Sequence, residues 1–263
     1  MSVRDRWADL GPRLMSAAVM VVLAALAIWF GGDVFHVFVA LICAGMTWEL
    51  FRMLAPERSG EALALGGLAG LVTLAVPYMT PLIALPLLAV PPLLCAQQVP
   101  RHRLICGAYV GLIVLAGFEM MVLRDHFSAS TLVWLILVVI ASDVAGYFAG
   151  RMLGGPKFWP KISPKKTWSG TVAGWVGAAL VGAGFWLWGG AGPGLILLST
   201  ITALAAQLGD IAESAVKRMT GVKDSSNLIP GHGGLLDRFD AMLGASLFVL
   251  LVAILFDLPF GAL

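Results

Sequence analysis

The chain has 263 residues, 59% of them hydrophobic and 12% charged, with a formal net charge of +2. Soluble domains carry about 25% charged residues, and the mean hydropathy here is +0.92. A soluble fold is therefore excluded for want of polar surface, and an all-α integral membrane protein is expected. The net charge says little, because the placement of the charges matters more than their sum; no nucleic-acid partner is expected. Cys43, Cys95 and Cys106 lie in apolar runs without metal-type spacing and read as small buried hydrophobes, with no disulfide framework.

A membrane-spanning helix needs about 20 mostly apolar residues. Nine spans are predicted in chain order, at about 14–30, 34–53, 62–78, 80–97, 104–123, 131–150, 169–188, 194–216 and 241–257. The first follows Arg4, Arg6 and Arg13 and contains Ala25-Leu26-Ala27, as a cleaved signal peptide would. Its apolar run continues through Ile28, Trp29 and Phe30, so a retained helix is expected. Pro77, Pro81, Pro86, Pro91 and Pro92 interrupt the third and fourth spans, which are expected to be kinked or partly re-entrant. Glu49 and Glu119 stand near helix ends beside Arg52 and Arg124 and read as interfacial pairs or snorkelling side chains. No repeat, soluble domain or low-complexity linker is present. The chain divides into 1–130, with about five spans, and a C-terminal region 131–263 whose polar loops 151–168 and 217–240 carry the candidate chemistry.

Charge placement orients the bundle. With the N-terminus inside, every lysine and arginine except Arg124 falls on the cytoplasmic side. Both long polar loops then face the cytoplasm, where nucleotides are available.

The sixth span ends in a stripe of Asp143, Gly146, Tyr147 and Gly150, a GxxxG-type surface with a carboxylate that serves either a site or an ion pair. Gly66, Gly107 and Gly170 begin other GxxxG patterns. Next come four lysines, among them Lys165 and Lys166, before Ser169, Gly170 and Thr171 open the seventh helix. This stretch reads equally as a positive-inside anchor with Trp159 and Trp168, a contact for anionic lipid headgroups, or a phosphate clamp at a helix N-terminus. In the eighth span Asp210, Ser214 and Lys217 share one face, with Gln207 a turn earlier and Glu213 nearby. A carboxylate at the centre of a membrane helix costs about 2.5–3.5 kcal/mol. Asp210 therefore faces a cavity or a metal, or pairs with Lys217 or an arginine.

The polar island KDSSNLIPGHGGLLDRFD, 223–240, follows. Asp224, Asp237 and Asp240 are hard oxygen donors suited to magnesium. Lys217, Arg218, Lys223 and Arg238 suit phosphates. Gly233 and Gly234 belong to a PGHGG backbone that can approach a polyphosphate closely. His232 has no companion for a zinc site; it is a phosphate donor, a general acid or a loop hydrogen-bonder. Interleaved acids and bases of this kind fit a metal–phosphate complex.

Ser214, Val216, Lys217, Arg218, Lys223, Asp224, Ser226, Ile229, Pro230, His232, Gly233, Gly234, Leu235, Asp237, Arg238, Phe239 and Asp240 form one ordered motif. It resembles, without a departure, the signature of phosphatidate cytidylyltransferases, also called CDP-diacylglycerol synthases. The upstream SD..GY..GR and SPKKTWSG segments look like the same family, and the resemblance covers about 142–240. It implies transfer of a cytidylyl group from CTP to phosphatidic acid, giving CDP-diacylglycerol and pyrophosphate, at the cytoplasmic face of a bacterial inner membrane. It further implies Mg2+, with room for a second cation, held between Asp210 and Asp237. Asp224 and Asp240 would be a further ligand or hold the ligands in place. Lys217, Arg218, Lys223 and Arg238 would neutralise the triphosphate or the lipid phosphate, helped by Lys165, Lys166 and Ser169. Asp143, Ser214, His232, Gly233 and Gly234 would line the substrates. Membrane lipids are expected neighbours, and a homodimer is a compatible assembly. Two other readings are a cytidylyltransferase for another lipid phosphate and a transporter of a polar solute. An intramembrane aspartyl protease using Asp143 and Asp210 is disfavoured, because its GxGD motif is absent.

Overall fold

The computed structural model describes residues 10–256 and 258–260, with side chains from residue 14 onward. Arg4, Arg6 and the Arg13 side chain, all used to orient the bundle, lie outside the described residues, as does residue 257 at the end of the ninth predicted span.

Nine α-helices run through the described residues, one for each predicted span. They are α1 Leu10–Phe30, α2 Gly32–Leu54, α3 Ser59–Ala75, α4 Pro81–Gln98 and α5 Arg103–Val122. Then follow α6 Ala129–Met152, α7 Trp168–Gly189, α8 Gly194–Thr220 and α9 Leu236–Leu255. Eight of these, counting the short turns that extend α3 and α5, are long and apolar enough to cross a membrane, and α1 adds the apolar stretch Leu14–Phe30. The protein is a polytopic, all-α integral membrane protein. The prolines do not divide α4. Pro81 sits in its first turn, where no backbone donor is needed, and the helix continues through Pro86, Pro91 and Pro92. The break falls instead at the tight turn Val76–Tyr78 and the extended residues after it.

One departure from an all-helical chain is a small hairpin in the lysine-rich loop. Strands β1 Lys157–Trp159 and β2 Ser163–Thr167 pair antiparallel, Lys157 opposite Thr167 and Trp159 opposite Ser163. Thr167 then caps α7 by accepting from the Gly170 N–H at 3.2 Å. At the other end of α7, Gly190 takes the left-handed conformation (φ 78°) that closes the helix.

The chain divides into two compact units. The first is Met1–Met121 with Thr220–Arg238, and the second is Val122–Met219 with Phe239–Leu263. In the first, small residues let backbones touch. A Cβ on Gly66 or Gly70 would lie 2.6 Å from the Ala44 carbonyl or 2.8 Å from the Ala40 carbonyl, so α3 packs flush on α2. Gly107 does the same for α5 against the Pro92 carbonyl of α4, at 3.1 Å. All three cysteines are buried and free, as expected. Glu119 departs from its expected interfacial pairing. It continues the buried stripe Cys106, Tyr109, Ile113, Ala116 of α5, is 1% exposed, and neither carboxyl oxygen has a hydrogen-bond partner among the described residues.

In the second unit the glycine stripe of α6 meets that of α7. A Cβ on Gly170 would stand 2.6 Å from the Gly146 carbonyl, and one on Gly177 3.0 Å from that of Ala141. Helices α8 and α9 cross glycine to glycine. A Cβ on Gly244 would lie 3.0 Å from the Gly209 Cα, and one on Gly209 would collide with the Asp240 carbonyl. That crossing brings Asp240 of α9 within electrostatic reach of Asp210 of α8.

Candidate active site

In the second unit, Gln207 is the fixed point of α8. Its Oε1 accepts from Trp175 Nε1 at 3.1 Å, and its Nε2 donates to Ser142 Oγ and to the Thr171 carbonyl, each at 3.3 Å. Gly174 makes room for it, since a Cβ there would come within 2.6 Å of Gln207 Nε2. Three helices are thereby tied one turn before Asp210. Asp210 Oδ2 pairs with Lys166 Nζ at 2.6 Å, and Lys166 also donates to the Gln207 carbonyl at 3.2 Å. Ser214 Oγ donates to Asp210 Oδ1 at 3.3 Å, as the shared helix face requires. The pair is part-exposed, at 24% and 31% of its side-chain surfaces, and so within reach of a ligand.

The partner of Asp210 is thus Lys166 of the hairpin, where the sequence offered Lys217 or an arginine. Lys217 pairs with Glu213, whose side chain is fully buried. Glycine packing places Asp240 within electrostatic reach of Asp210, Lys217 and Asp143. Its Oδ1 accepts from the Ala241 N–H at 2.8 Å. Lys165 and Arg218 are exposed. The Ser169 hydroxyl donates to the Gly154 carbonyl and lies 3.0 Å from Thr167 Oγ1, so it closes the turn into α7.

The first unit holds the rest of the motif. Residues 229–233 form a tight reversal. The Ile229 N–H donates to the Gly233 carbonyl at 2.8 Å and the His232 N–H to the Ile229 carbonyl at 2.9 Å. Gly231 and Gly233 have φ of 74° and 84°, a region that side chains with a Cβ rarely enter. Asp237 Oδ2 then gathers three donors, the Ser225 N–H, the Ser225 hydroxyl and the Gly234 N–H, each at 2.8 Å. Arg238 Nε donates to the His232 carbonyl at 3.0 Å. Ser16 Oγ of α1 donates to the Pro230 carbonyl at 3.0 Å and lies 2.8 Å from His232 Nδ1. Lys223 and Asp224 are exposed.

Sequence reasoning misplaced one residue of this loop's surroundings. Glu49 does not pair with Arg52 at an interface. It is fully buried, and its carboxylate accepts from Ser226 Oγ (2.6 Å), Leu236 N (2.7 Å), Leu235 N (2.9 Å) and Ser225 Oγ (3.2 Å). Arg52 instead lays its guanidinium over the Trp48 ring, 4.7 Å from the centroid. Gly234 makes room for these contacts, because a Cβ would collide with both Ser225 Oγ and Glu49 Oε1. A cavity of about 520 Å³ opens beside the Glu49 carboxylate, between Trp48, Glu49, Arg52, Ser225, Ser226 and Asn227.

The donor set is all oxygen, which suits magnesium and not zinc. Among the described residues no three His, Cys, Asp or Glu side chains form a ready-made metal cluster.

Comparison with known proteins extends these observations to nearly the whole chain. A family profile described as the cytidylyltransferase family matches residues 12–256. A protein of Brucella suis biovar 1 (strain 1330), named phosphatidate cytidylyltransferase, is 34% identical over 264 residues, covering 95% of this chain and 96% of its own length. Proteins of the same name from Helicobacter pylori (strain J99) and Bacillus subtilis (strain 168) are 45% and 40% identical over 140 and 136 residues. Those two matches span 52% and 51% of this chain, and 50% and 51% of the relatives.

Proposed function

We infer that this chain, which belongs to the cytidylyltransferase family, transfers a cytidylyl group from CTP to phosphatidic acid. The observation that carries the reading is the family match across residues 12–256; the unbroken motif from Ser214 to Asp240 supports it. A phosphate oxygen of the lipid attacks the α-phosphorus of CTP. The new bond joins that oxygen to the α-phosphorus, the bond between the α-phosphorus and its bridging oxygen to the β-phosphate breaks, and pyrophosphate leaves. The lipid phosphate is already ionised at neutral pH, so no strong general base is required. The obstacle is anion meeting anion, and the chain answers it with fixed cations and positioning.

Lys217, Arg218, Lys223 and Arg238 neutralise the triphosphate or the lipid phosphate, with Lys165 and Lys166 contributing from the hairpin. Lys166 is already held at Asp210 at 2.6 Å, so its charge is oriented before substrate arrives. Asp210 and Asp237 are the carboxylates proposed to hold Mg2+, with Asp224 and Asp240 proposed as a further ligand or as supports for the ligands. When bound, the cation draws charge from the phosphate oxygens. The three donors on Asp237 Oδ2 hold that carboxylate turned one way. Asp143, Ser169, Ser214, His232, Gly233 and Gly234 complete the substrate surroundings. The active face lies toward the cytoplasm of an inner membrane, consistent with the lysine and arginine distribution. There the acyl chains stay in the bilayer while the headgroup meets CTP. Anionic lipids neighbour the basic loops, and a homodimer is compatible with this arrangement.

The test is pyrophosphate release by purified protein in mixed micelles. CTP should be consumed only when phosphatidic acid and Mg2+ are both present. Turnover with a polyprenyl phosphate but not with phosphatidic acid would move the substrate to another lipid phosphate. Solute uptake into proteoliposomes without CTP consumption would favour a transporter.

A further inference from the structure

We propose that Glu49, on α2, is a positioning residue of the active site: it anchors the motif loop and, through Ser225, holds Asp237 in place. The proposal rests on the cytidylyl-transfer reading for what Asp237 does, but the anchor itself stands on geometry.

Glu49 is a carboxylate with no exposed surface, on a helix apolar enough to span a membrane. Such a group persists only where its charge is answered. Among the described residues no ion pair answers it. Four hydrogen-bond donors do so, and all four belong to the motif loop, 176 to 187 residues further along the chain. Two are the backbone N–H groups of Leu235 and Leu236, where α9 begins, and the positive end of a helix favours a negative charge there. The other two are the hydroxyls of Ser225 and Ser226 at the opposite end of the loop. One side chain thus pins both ends of 225–236.

Ser225 links the anchor to Asp237. Its hydroxyl lies 2.8 Å from Asp237 Oδ2 and 3.2 Å from Glu49 Oε2, and its N–H also donates to Asp237 Oδ2. The hydroxyl has a single proton to share, so the two carboxylates grip the same residue from two directions. Gly234 completes the joint. Its N–H donates to Asp237, and the space where its Cβ would be is filled by Ser225 Oγ and Glu49 Oε1. Loss of the Glu49 charge would leave backbone N–H groups at a helix start without their acceptor, and the loop would settle differently around Asp237. A displacement near 1 Å at a reacting centre can reduce rate about 100-fold.

Glu49→Gln is isosteric but turns an amide N–H2 toward N–H donors. It is predicted to lower kcat about 100-fold and to raise the Mg2+ concentration for half-maximal rate, while the bulk of the helices stays folded. Trypsin reports the loop independently of activity, since Lys223 and Arg238 are exposed and flank it. Cleavage after Lys223 is expected to be faster in the variant. Ser225→Ala combined with Glu49→Gln should cost clearly less than the product of the two single losses, because both act through one contact. Where Glu49→Gln does not accumulate as folded protein, Ser226→Ala removes one donor, leaves the carboxylate, and should show the same proteolytic change in weaker form. Wild-type kcat, Mg2+ dependence and cleavage in Glu49→Gln would overturn the proposal. So would a loss of activity that tracks global unfolding with Lys223 cleavage unchanged. If the wild-type protein itself turns over no CTP, the functional reading fails, whereas the cleavage comparison still decides the anchor.

Discussion

At the level of single residues the site is built by substitution-intolerant small groups and by charges with assigned partners. Lys166 shows how a phosphate-holding role for the lysine-rich loop can be separated from a membrane-surface one. A part-exposed ion pair such as Lys166–Asp210 contributes about 1 kcal/mol or less to stability. A fixed cation facing developing phosphate charge is worth far more to the rate, about 10²–10³-fold. Lys166→Met is therefore predicted to leave the melting temperature within a few degrees of wild type and to lower kcat/KM by about 100-fold or more. A variant with full activity would reduce Lys166 to a membrane-surface anchor. Gly234→Ala has the opposite signature. Its Cβ meets Ser225 Oγ and Glu49 Oε1, so activity and stability should fall together, with a stability loss of about 1–3 kcal/mol. An unchanged unfolding transition in that variant would show that the loop is not packed as described.

At the level of elements, helix pairs are registered by glycine contacts, and the registration decides which polar side chains meet. Gln207 enters the contact between α6 and α7 because Gly174 has no Cβ, and Asp210 follows one turn later. Gly174→Val should expel Gln207, destabilise the solubilised protein by about 1–3 kcal/mol, and lower activity through Asp210. Thermal unfolding of the variant beside wild type in the same detergent measures this, and equal midpoints would contradict it. The spans and the GxxxG surfaces were legible in the sequence because both depend on local composition and helical period. The face shared by Asp210 and Ser214 was legible for the same reason. The partner of Asp210 was not, because Lys166 reaches it from a hairpin whose strands are too short to announce themselves. Nor was the role of Glu49. Its donors include backbone N–H groups, which every residue but proline carries and no side-chain pattern marks. Arg52, three residues on, offered the obvious local partner and was committed to Trp48 instead.

At the level of the whole molecule, both compact units supply parts of the motif. Lys217, Arg218 and Asp240 belong to one, and Lys223, Asp224, Asp237 and Arg238 to the other. The charge distribution predicts that the motif loop faces the cytoplasm. Because all three native cysteines are buried, single introduced cysteines can be read against a low background. Leu228→Cys, at a position 51% exposed, should resist an impermeant thiol reagent in spheroplasts and react in inverted vesicles. His126→Cys, also at an exposed position, should do the reverse. The opposite pattern would invert the topology and place the motif away from its nucleotide.

The most direct measurement follows the phosphorus. Purified protein is incubated with phosphatidic acid, Mg2+ and CTP labelled either at the α- or at the γ-phosphate, and the lipid fraction is extracted. Attack at the α-phosphorus predicts that α-label enters a lipid with the mass of CDP-diacylglycerol, while γ-label is recovered only as pyrophosphate. Label from the γ-phosphate in the lipid, or no label from either, would contradict cytidylyl transfer.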